Sequence, residues 1–197
     1  MSTRDKLLDA EALAAQLFER IEQLELIRPG RLESEINDEI HALARNEFGT
    51  TIHWHKRIVR AGANTLCPYD DNPPDLRVQE DDIVFVDLGP VFADWEADFG
   101  RTHVLGDDPE KHRLVADVAA CWQLGKEHVE ANLELTASQL FDHMEQLAVE
   151  RGWTLGQWHS GHLIGHFPHD RPPEKVHNFV MPGNDRALAG QHWILEV

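Results

Sequence analysis

Apolar residues recur at helical spacing through the first part of the chain. They are Leu7, Leu8, Leu13, Leu17, Ile21 and Leu24. A spacing of three to four residues is typical of a helix that buries one face, and Pro29-Gly30 ends the run. The pattern predicts a first helix before Pro29 and a second helix from about Leu32 to Phe48, with Ile36, Ile40 and Leu43 turned inward.

The pattern changes after Lys56 to short apolar runs separated by turn residues. KRIVRAG, the polar loop PYDDNPPD and DIVFVDLGPVFADWEADFG follow in that order, and the apolar runs are typical of strands. Two more helices are predicted, from about Pro109 to Leu133 and from Thr136 to Arg151, where TASQ matches a capping box. The closing QHWILEV again favours a strand. Helices and strands in separate blocks predict an α+β fold.

Length and charge narrow the class of protein. A chain of 197 residues without a linker or repeat is expected to form one domain, 1–197. A net charge of -17 disfavours nucleic acid as a partner and favours cations. No apolar run approaches the roughly 20 residues of a membrane span, and the charged N-terminal segment is unlike a secretory signal. We expect a cytoplasmic protein that has no contact with a membrane.

The two cysteines exclude zinc-finger chemistry. Cys67 and Cys121 lie far apart and form no CxxC pair. We therefore expect reduced, structural thiols.

Two aspartates stand out in the strand-rich segment 82–106. Asp87 ends the apolar run IVFVD, and Asp98 follows eleven residues later, beyond a turn predicted near Phe92 to Asp94. If the two strands pair with Asp87 opposite Asp98, both carboxylates lie on one face and repel each other unless a cation compensates. The segment alone leaves two interpretations open: a divalent metal site, or aspartates at strand ends that are solvated or cap turns.

The stretch WHSGHLIGHFPHD contains four histidines at helical spacing. They are His159, His162, His166 and His169. A helix would line them up as a four-histidine metal site, but two glycines and a proline interrupt the segment and disfavour a helix. In an irregular chain only one or two of the rings reach a common ion. We predict His162, between two glycines, as the ligand, and assign no role to His159 or His166.

Glu196 adds a carboxylate to a strongly apolar run, HWILEV. A charged residue in a buried strand needs a partner. A metal bound by Asp87, Asp98, His162 and Glu196 would satisfy all four side chains.

The order of these motifs resembles one superfamily from about Pro29 to the C-terminus. An Asp, a second Asp eleven residues on, GHLIG, an HD seven residues after His162, and an apolar run ending in Glu resemble the pita-bread metallopeptidases, which include methionine aminopeptidase, aminopeptidase P and creatinase. PGRLESEI and KRIVRAGANT are similar to the segments that precede the metal motifs. WEADFGRT and GHLIGHFPHD are most similar to the short aminopeptidase P-like members, which are Xaa-Pro peptidases.

The resemblance implies an antiparallel pita-bread sheet that holds two divalent ions. Asp87 would bind one ion, Asp98 would bridge both, and His162 and Glu196 would bind the other. The ions would activate a water, and Glu196 would carry its proton to the leaving amine. His169 would hydrogen bond the substrate or the tetrahedral intermediate. The ligand set suits Mn, Co, Fe or Zn.

Two departures from the superfamily pattern qualify the expectation. Tyr69 stands where many members have a substrate-contacting histidine. In members of the superfamily, the second glutamate ligand lies on a strand beyond the one that ends here at Val197. We therefore expect that the chain is truncated at the C-terminus. As it stands, we expect it to bind metal poorly and to have little or no activity. The apolar edge left by Glu196's strand would then be able to pair with another copy, as a homodimer.

The sequence therefore predicts a hydrolase acting on peptides. The leading hypothesis is a metal-dependent aminopeptidase that removes the residue before a proline in small peptides. Two alternatives stay open at this point: removal of N-terminal methionine, and a binding module that has kept the fold and lost hydrolysis.

Overall fold

The computed structural model describes residues 1–169 and 175–197. The chain contacts cluster in two compact units. The first unit contains Met1–His112 and Gly165–Pro168, and the second contains Arg113–Ile164 and His169–Val197. That residues 1–197 form one domain stays a prediction. In the described part of the chain no helix is both long enough and apolar enough to cross a membrane.

Two helices open the first unit, as predicted. Helix α1 spans Thr3–Gln23 and is capped by Ser2, whose side chain accepts a hydrogen bond from the Asp5 backbone while the Asp5 side chain accepts one from the Ser2 backbone. Helix α2 spans Glu33–Phe48 and ends at Gly49, which adopts a φ of 68°. That left-handed conformation suits glycine and ends the helix.

Five strands and a short 3-10 helix complete the first unit. They are β1 (Ile58–Ala61), the 3-10 helix Gly62–Leu66, β2 (Ile83–Leu88), β3 (Val91–Phe92), β4 (Trp95–Glu96) and β5 (Phe99–Val104). The antiparallel sheet has the order β1-β2-β5, and β3 and β4 form a separate two-stranded hairpin. Alternation in β2 buries Val84, Val86 and Leu88 against α1 and α2.

The register of the predicted hairpin is shifted by two residues. Asp87 pairs with Gly100, not with Asp98. Phe92 is buried and pairs with Trp95, so the turn consists of Ala93 and Asp94, with φ values of 47° and 68°. Since side chains alternate faces along a strand, a shift of two residues keeps the predicted face.

A buried carboxylate joins α2 to the sheet. Glu33 is 6% exposed. Its Oε1 accepts from the Ala61 backbone at 2.6 Å, and its Oε2 accepts from the Leu76 backbone at 3.1 Å. The Asn64 amide donates to both oxygens, at 3.1 and 2.9 Å. A buried acid is tolerated here because each oxygen has donors.

Glu33→Gln is expected to lower the free energy of unfolding by about 2 kcal/mol, because an amide NH₂ in place of one oxygen leaves a buried donor without an acceptor. Urea denaturation measures the loss. Glu19→Gln, the same change at an exposed site on α1, is the matched control and should stay near the parent. Equal stability of the two variants would contradict this account of Glu33.

The second unit is built on two helices. Helix α3 spans Pro109–Ala131, and helix α4 spans Ala137–Glu150. The part of α3 from Arg113 onward belongs to this unit. The Thr136 side chain accepts from the Gln139 backbone while the Gln139 side chain accepts from the Thr136 backbone, which confirms the predicted capping box. Both helices end within two residues of the prediction. Their core includes Cys121, Leu140, Phe141, Met144, Leu147 and Val180.

The C-terminal strand prediction is only partly correct. Three extended segments, 160–164, 178–180 and 192–196, are joined by backbone hydrogen bonds and isolated bridges, but no continuous strand forms among the described residues there. A 3-10 helix, Lys175–Asn178, leads into the second segment at Asn178. Segment 160–164 lies between the other two: Ser160 donates to Val180, Ile194 donates to His162 at 2.8 Å, and Glu196 donates to Ser160 at 3.1 Å.

Candidate metal centre

The first unit brings the two predicted aspartates together with a histidine, His55. The sequence interpretation did not identify this histidine. Asp87 lies near the end of β2, and Asp98 lies just before β5. The Nε2 atom of His55 is 3.7 Å from Asp87 Oδ1 and 3.3 Å from Asp98 Oδ2. Both aspartates thus reach the same nitrogen, so the predicted shared face is confirmed although the predicted register is wrong.

His55 is positioned by the irregular segment that precedes β1. The Trp54 backbone donates to the Gly89 carbonyl at 2.8 Å, and the Trp54 indole donates to the Ala97 carbonyl at 2.9 Å. A Cβ built on Gly89 would lie 2.2 Å from Cδ2 and 2.5 Å from Nε2 of His55. Gly89 therefore leaves the space that the imidazole occupies beside the acids. A glycine after a buried strand is the one sequence signal of such a close approach.

The electrostatics of His55 are dominated by its two acidic neighbours. Burial lowers the pKa of the imidazole, but the adjacent Asp98 carboxylate and the charge of Asp87 outweigh burial and raise the pKa to about 9. Without an ion the ring therefore carries a positive charge at neutral pH. The two carboxylates thus stabilise positive charge in this pocket, which agrees with the argument that they repel each other unless a cation compensates.

Tyr69, the predicted substrate contact, lies beside His55. The ring centroids are 6.4 Å apart, and the Tyr69 oxygen accepts from the Lys56 backbone at 3.0 Å. The buried Arg60 guanidinium donates to the carbonyls of Cys67, Pro68 and Asp71, which holds the loop that carries Tyr69. Burial raises the pKa of Tyr69, so the phenol keeps its proton at neutral pH and can donate it to a ligand.

A second buried acid anchors part of the histidine-rich segment. Glu96, 2% exposed, accepts from the Gly165 backbone at 3.1 Å through Oε2, and its own backbone donates to the Gly165 carbonyl at 3.1 Å. The Trp95 ring packs edge-on against His166. His166 is exposed on this unit. These contacts give Glu96 an anchoring role that the sequence interpretation missed.

In the second unit the structure brings together His162 and Glu196, as predicted. His162 Nε2 lies 2.9 Å from Glu196 Oε1, and His162 Nδ1 lies 2.9 Å from the Leu163 carbonyl oxygen. His159, to which no role was assigned, also approaches Glu196, with Nδ1 3.8 Å from Oε2, and its ring packs against Phe179. Glu196 thus has two histidine neighbours.

The histidine-rich segment is not a helix. Gly161 has a φ of 139°, and residues 158–169 form bends and isolated bridges. The four-histidine helical site is therefore excluded for these residues. His169 is half-buried and belongs to the second unit, and its role stays a prediction.

The donor atoms fit a divalent ion. His55, Asp87 and Asp98 each offer a ligand atom, and these atoms lie within 4.8 Å of one another. Two carboxylates and an imidazole form a mixed oxygen and nitrogen set that suits Mn, Co, Fe or Zn. The 2.9 Å approach of His162 to Glu196 supplies the same two donor types in the second unit.

Comparison with known proteins identifies the relatives of this chain. A family model described as metallopeptidase family M24 matches residues 5–196. The Xaa-Pro dipeptidase of Pyrococcus furiosus is 27% identical over 151 residues, which are 76% of this chain and 42% of that protein. Methionine aminopeptidase 1 of Saccharomyces cerevisiae is 24% identical over 154 residues, which are 74% of this chain and 38% of that protein. This chain thus spans less than half the length of these two relatives.

Among solved structures, the Xaa-Pro dipeptidase from Bacillus anthracis matches with a TM-score of 0.75 at 21% identity, over 99% of this chain and 58% of that one. This likeness defines the class: an α+β protein with the pita-bread fold. The chain belongs to metallopeptidase family M24. The resemblance inferred from the sequence motifs is confirmed.

Proposed function

We propose that this protein is a metal-dependent aminopeptidase that releases the N-terminal residue of small peptides with proline in the second position. The observation that carries the proposal is the convergence of Asp87 and Asp98 on one buried nitrogen, 3.7 and 3.3 Å away. Membership of a metallopeptidase family supports the reaction class. The Xaa-Pro dipeptidase of Pyrococcus furiosus among its relatives supports the choice of substrate.

The proposed metal ligands are Asp87 and Asp98 in the first unit and His162 and Glu196 in the second. Two divalent ions are proposed, by resemblance to the pita-bread metallopeptidases. When bound, the ions would polarise the scissile carbonyl and lower the pKa of the attacking water. The chemistry of the donor set supports this, because three carboxylates offset most of the charge of two such ions.

Three side chains have proposed roles around the peptide. A carboxylate oxygen of Glu196 accepts the proton of the attacking water and passes it to the leaving amine. The His169 ring donates a hydrogen bond to the oxygen of the scissile carbonyl. The Tyr69 hydroxyl already accepts a bond from the Lys56 backbone, so its proton is available to orient the substrate.

The function is tested by peptide hydrolysis with the metal-stripped chain. Chelator-treated protein is reloaded with Mn, Co, Fe or Zn and incubated with Ala-Pro, Ala-Ala and Met-Ala-Ser, and the released residue is measured by mass spectrometry. We expect slow, metal-dependent release of alanine that is faster from Ala-Pro than from Ala-Ala, in line with the weak metal binding and low activity expected from the sequence. Preferential release of methionine would replace the proposal by methionine removal, for which the yeast relative is the precedent. Metal binding without release from any peptide would favour the binding module.

A further inference from the structure

We propose that His55 is a third protein ligand of the divalent ion bound by Asp87 and Asp98. The inference rests on the proposed metal-dependent function and extends it, because the ligand set implied by the resemblance does not include His55. His55, Asp87 and Asp98 all belong to the first unit.

The hydrogen bonding of His55 determines which ring nitrogen can bind a metal. Nδ1 lies 2.8 Å from the Lys56 carbonyl oxygen. A carbonyl oxygen only accepts, so Nδ1 carries the hydrogen and the neutral ring has its lone pair on Nε2. A backbone carbonyl that holds the other ring nitrogen is the usual support of a ligand histidine.

The surroundings of Nε2 are those of a ligand atom. It is buried, and two carboxylate oxygens face it at 3.3 and 3.7 Å. Ligands about 2.1 Å from an ion stand roughly 3.0 to 3.5 Å apart in octahedral or tetrahedral geometry. The distances from Nε2 to the two carboxylate oxygens are therefore close to those between ligands of one ion, and all three donors lie within 4.8 Å of one another.

His162 in the second unit has the same local arrangement. Its Nδ1 also faces the carbonyl of the next residue, at 2.9 Å, and its Nε2 also faces a carboxylate, at 2.9 Å from Glu196. The sequence predicts His162 as a ligand. The same orientation in His55 assigns it the same chemistry.

The ring of His55 is also held in place before any ion arrives. Trp54 packs edge-on against it, with ring centroids 4.6 Å apart, and the ring fills the space that a Cβ at Gly89 would occupy. Fixing a ligand in its binding orientation removes most of the entropy cost of ordering it. A histidine on a loose surface segment would have no such restraint.

The first experiment is calorimetric titration of the full chain with Mn. His55→Gln should weaken Mn binding by at least about tenfold, since even residues that only orient ligands cost this much when replaced. His41→Gln is the matched control, because His41 is another half-buried histidine of the first unit and no carboxylate ligand is proposed beside it. Circular dichroism checks that each variant is folded.

The second experiment detects the ligand nitrogen directly. Pulsed electron paramagnetic resonance of Mn bound to ¹⁵N-histidine-labelled protein detects histidine nitrogen at the ion. The His162→Gln protein should keep a nitrogen coupling, and the double variant with His55→Gln should lose it.

The outcomes separate this inference from the proposed function. Unchanged Mn affinity in folded His55→Gln, or no nitrogen coupling in His162→Gln, overturns the role of His55 alone. Tighter Mn binding by His55→Gln also overturns it, because His55 would then be a fixed cation that competes with the metal. A parent chain that binds no divalent ion overturns both proposals.

Discussion

Replacement of Asp98 by asparagine is expected to abolish the slow metal-dependent peptide hydrolysis of the parent, because the loss of an essential electrostatic group lowers kcat/KM by about 10³-fold or more. The Asp98 side chain is 9% exposed, and its Oδ2 lies 3.3 Å from His55 Nε2. The amide oxygen of asparagine carries no net charge that could hold a divalent ion. Water has little access to the site and cannot take the place of the lost carboxylate. Metal titration should show weaker binding in parallel with the loss of turnover.

Asp94→Asn is the matched control for Asp98→Asn. It makes the same change four residues earlier, in the exposed turn between β3 and β4. Asparagine tolerates the φ of 68° found at Asp94. This variant should keep the parent metal affinity and turnover. If Asp98→Asn behaved like Asp94→Asn, the proposed metal centre would be wrong.

The hairpin around Asp87 and Asp98 shows which features of the fold the sequence pattern determines. The alternation along IVFVDL determined on which face of the sheet Asp87 lies, because a shift of one residue would expose Val84 and Val86. The register was less determined. Ala93 and Asp94 adopt positive φ values without a glycine, so the chain there lacks the Asn-Gly type of signal that locates a tight turn. The predicted pairing of Asp87 with Asp98 was therefore two residues out of register.

His55 could not be predicted from its neighbours in sequence. It lies 32 residues before Asp87 in an irregular segment, and backbone bonds from Trp54 to Gly89 and from Val91 to Ile52 bring it to the acids. Pairing between distant segments leaves no periodic trace in a single sequence. The proximity of His162 and Glu196 could be predicted because each residue breaks a local rule: a histidine between glycines and an acid in an apolar run.

Gly161→Ala is expected to disrupt the second unit and to lower the free energy of unfolding by about 3 kcal/mol or more. A Cβ at Gly161 would lie 1.9 Å from the Ile194 carbonyl oxygen, and the φ of 139° is open to glycine almost alone. Because the clash is with backbone, no side-chain rotation relieves it. Segment 192–196 therefore has to move away from segment 160–164.

The matched control for Gly161→Ala is Gly156→Ala in the same unit, where an added Cβ meets nothing within 4 Å and φ is not positive. It should be neutral or slightly stabilising, because alanine restricts the unfolded chain. Denaturant unfolding compares the two variants, and nuclear magnetic resonance of the His162 ring reports its pairing with Glu196. Movement of segment 192–196 carries Glu196 away from His162, so Gly161→Ala should also lose metal affinity at the pair. Parent-like stability with an unshifted His162 signal would mean that the backbone accommodates a methyl group there, and that the close approach of these segments is not what holds Glu196 beside His162.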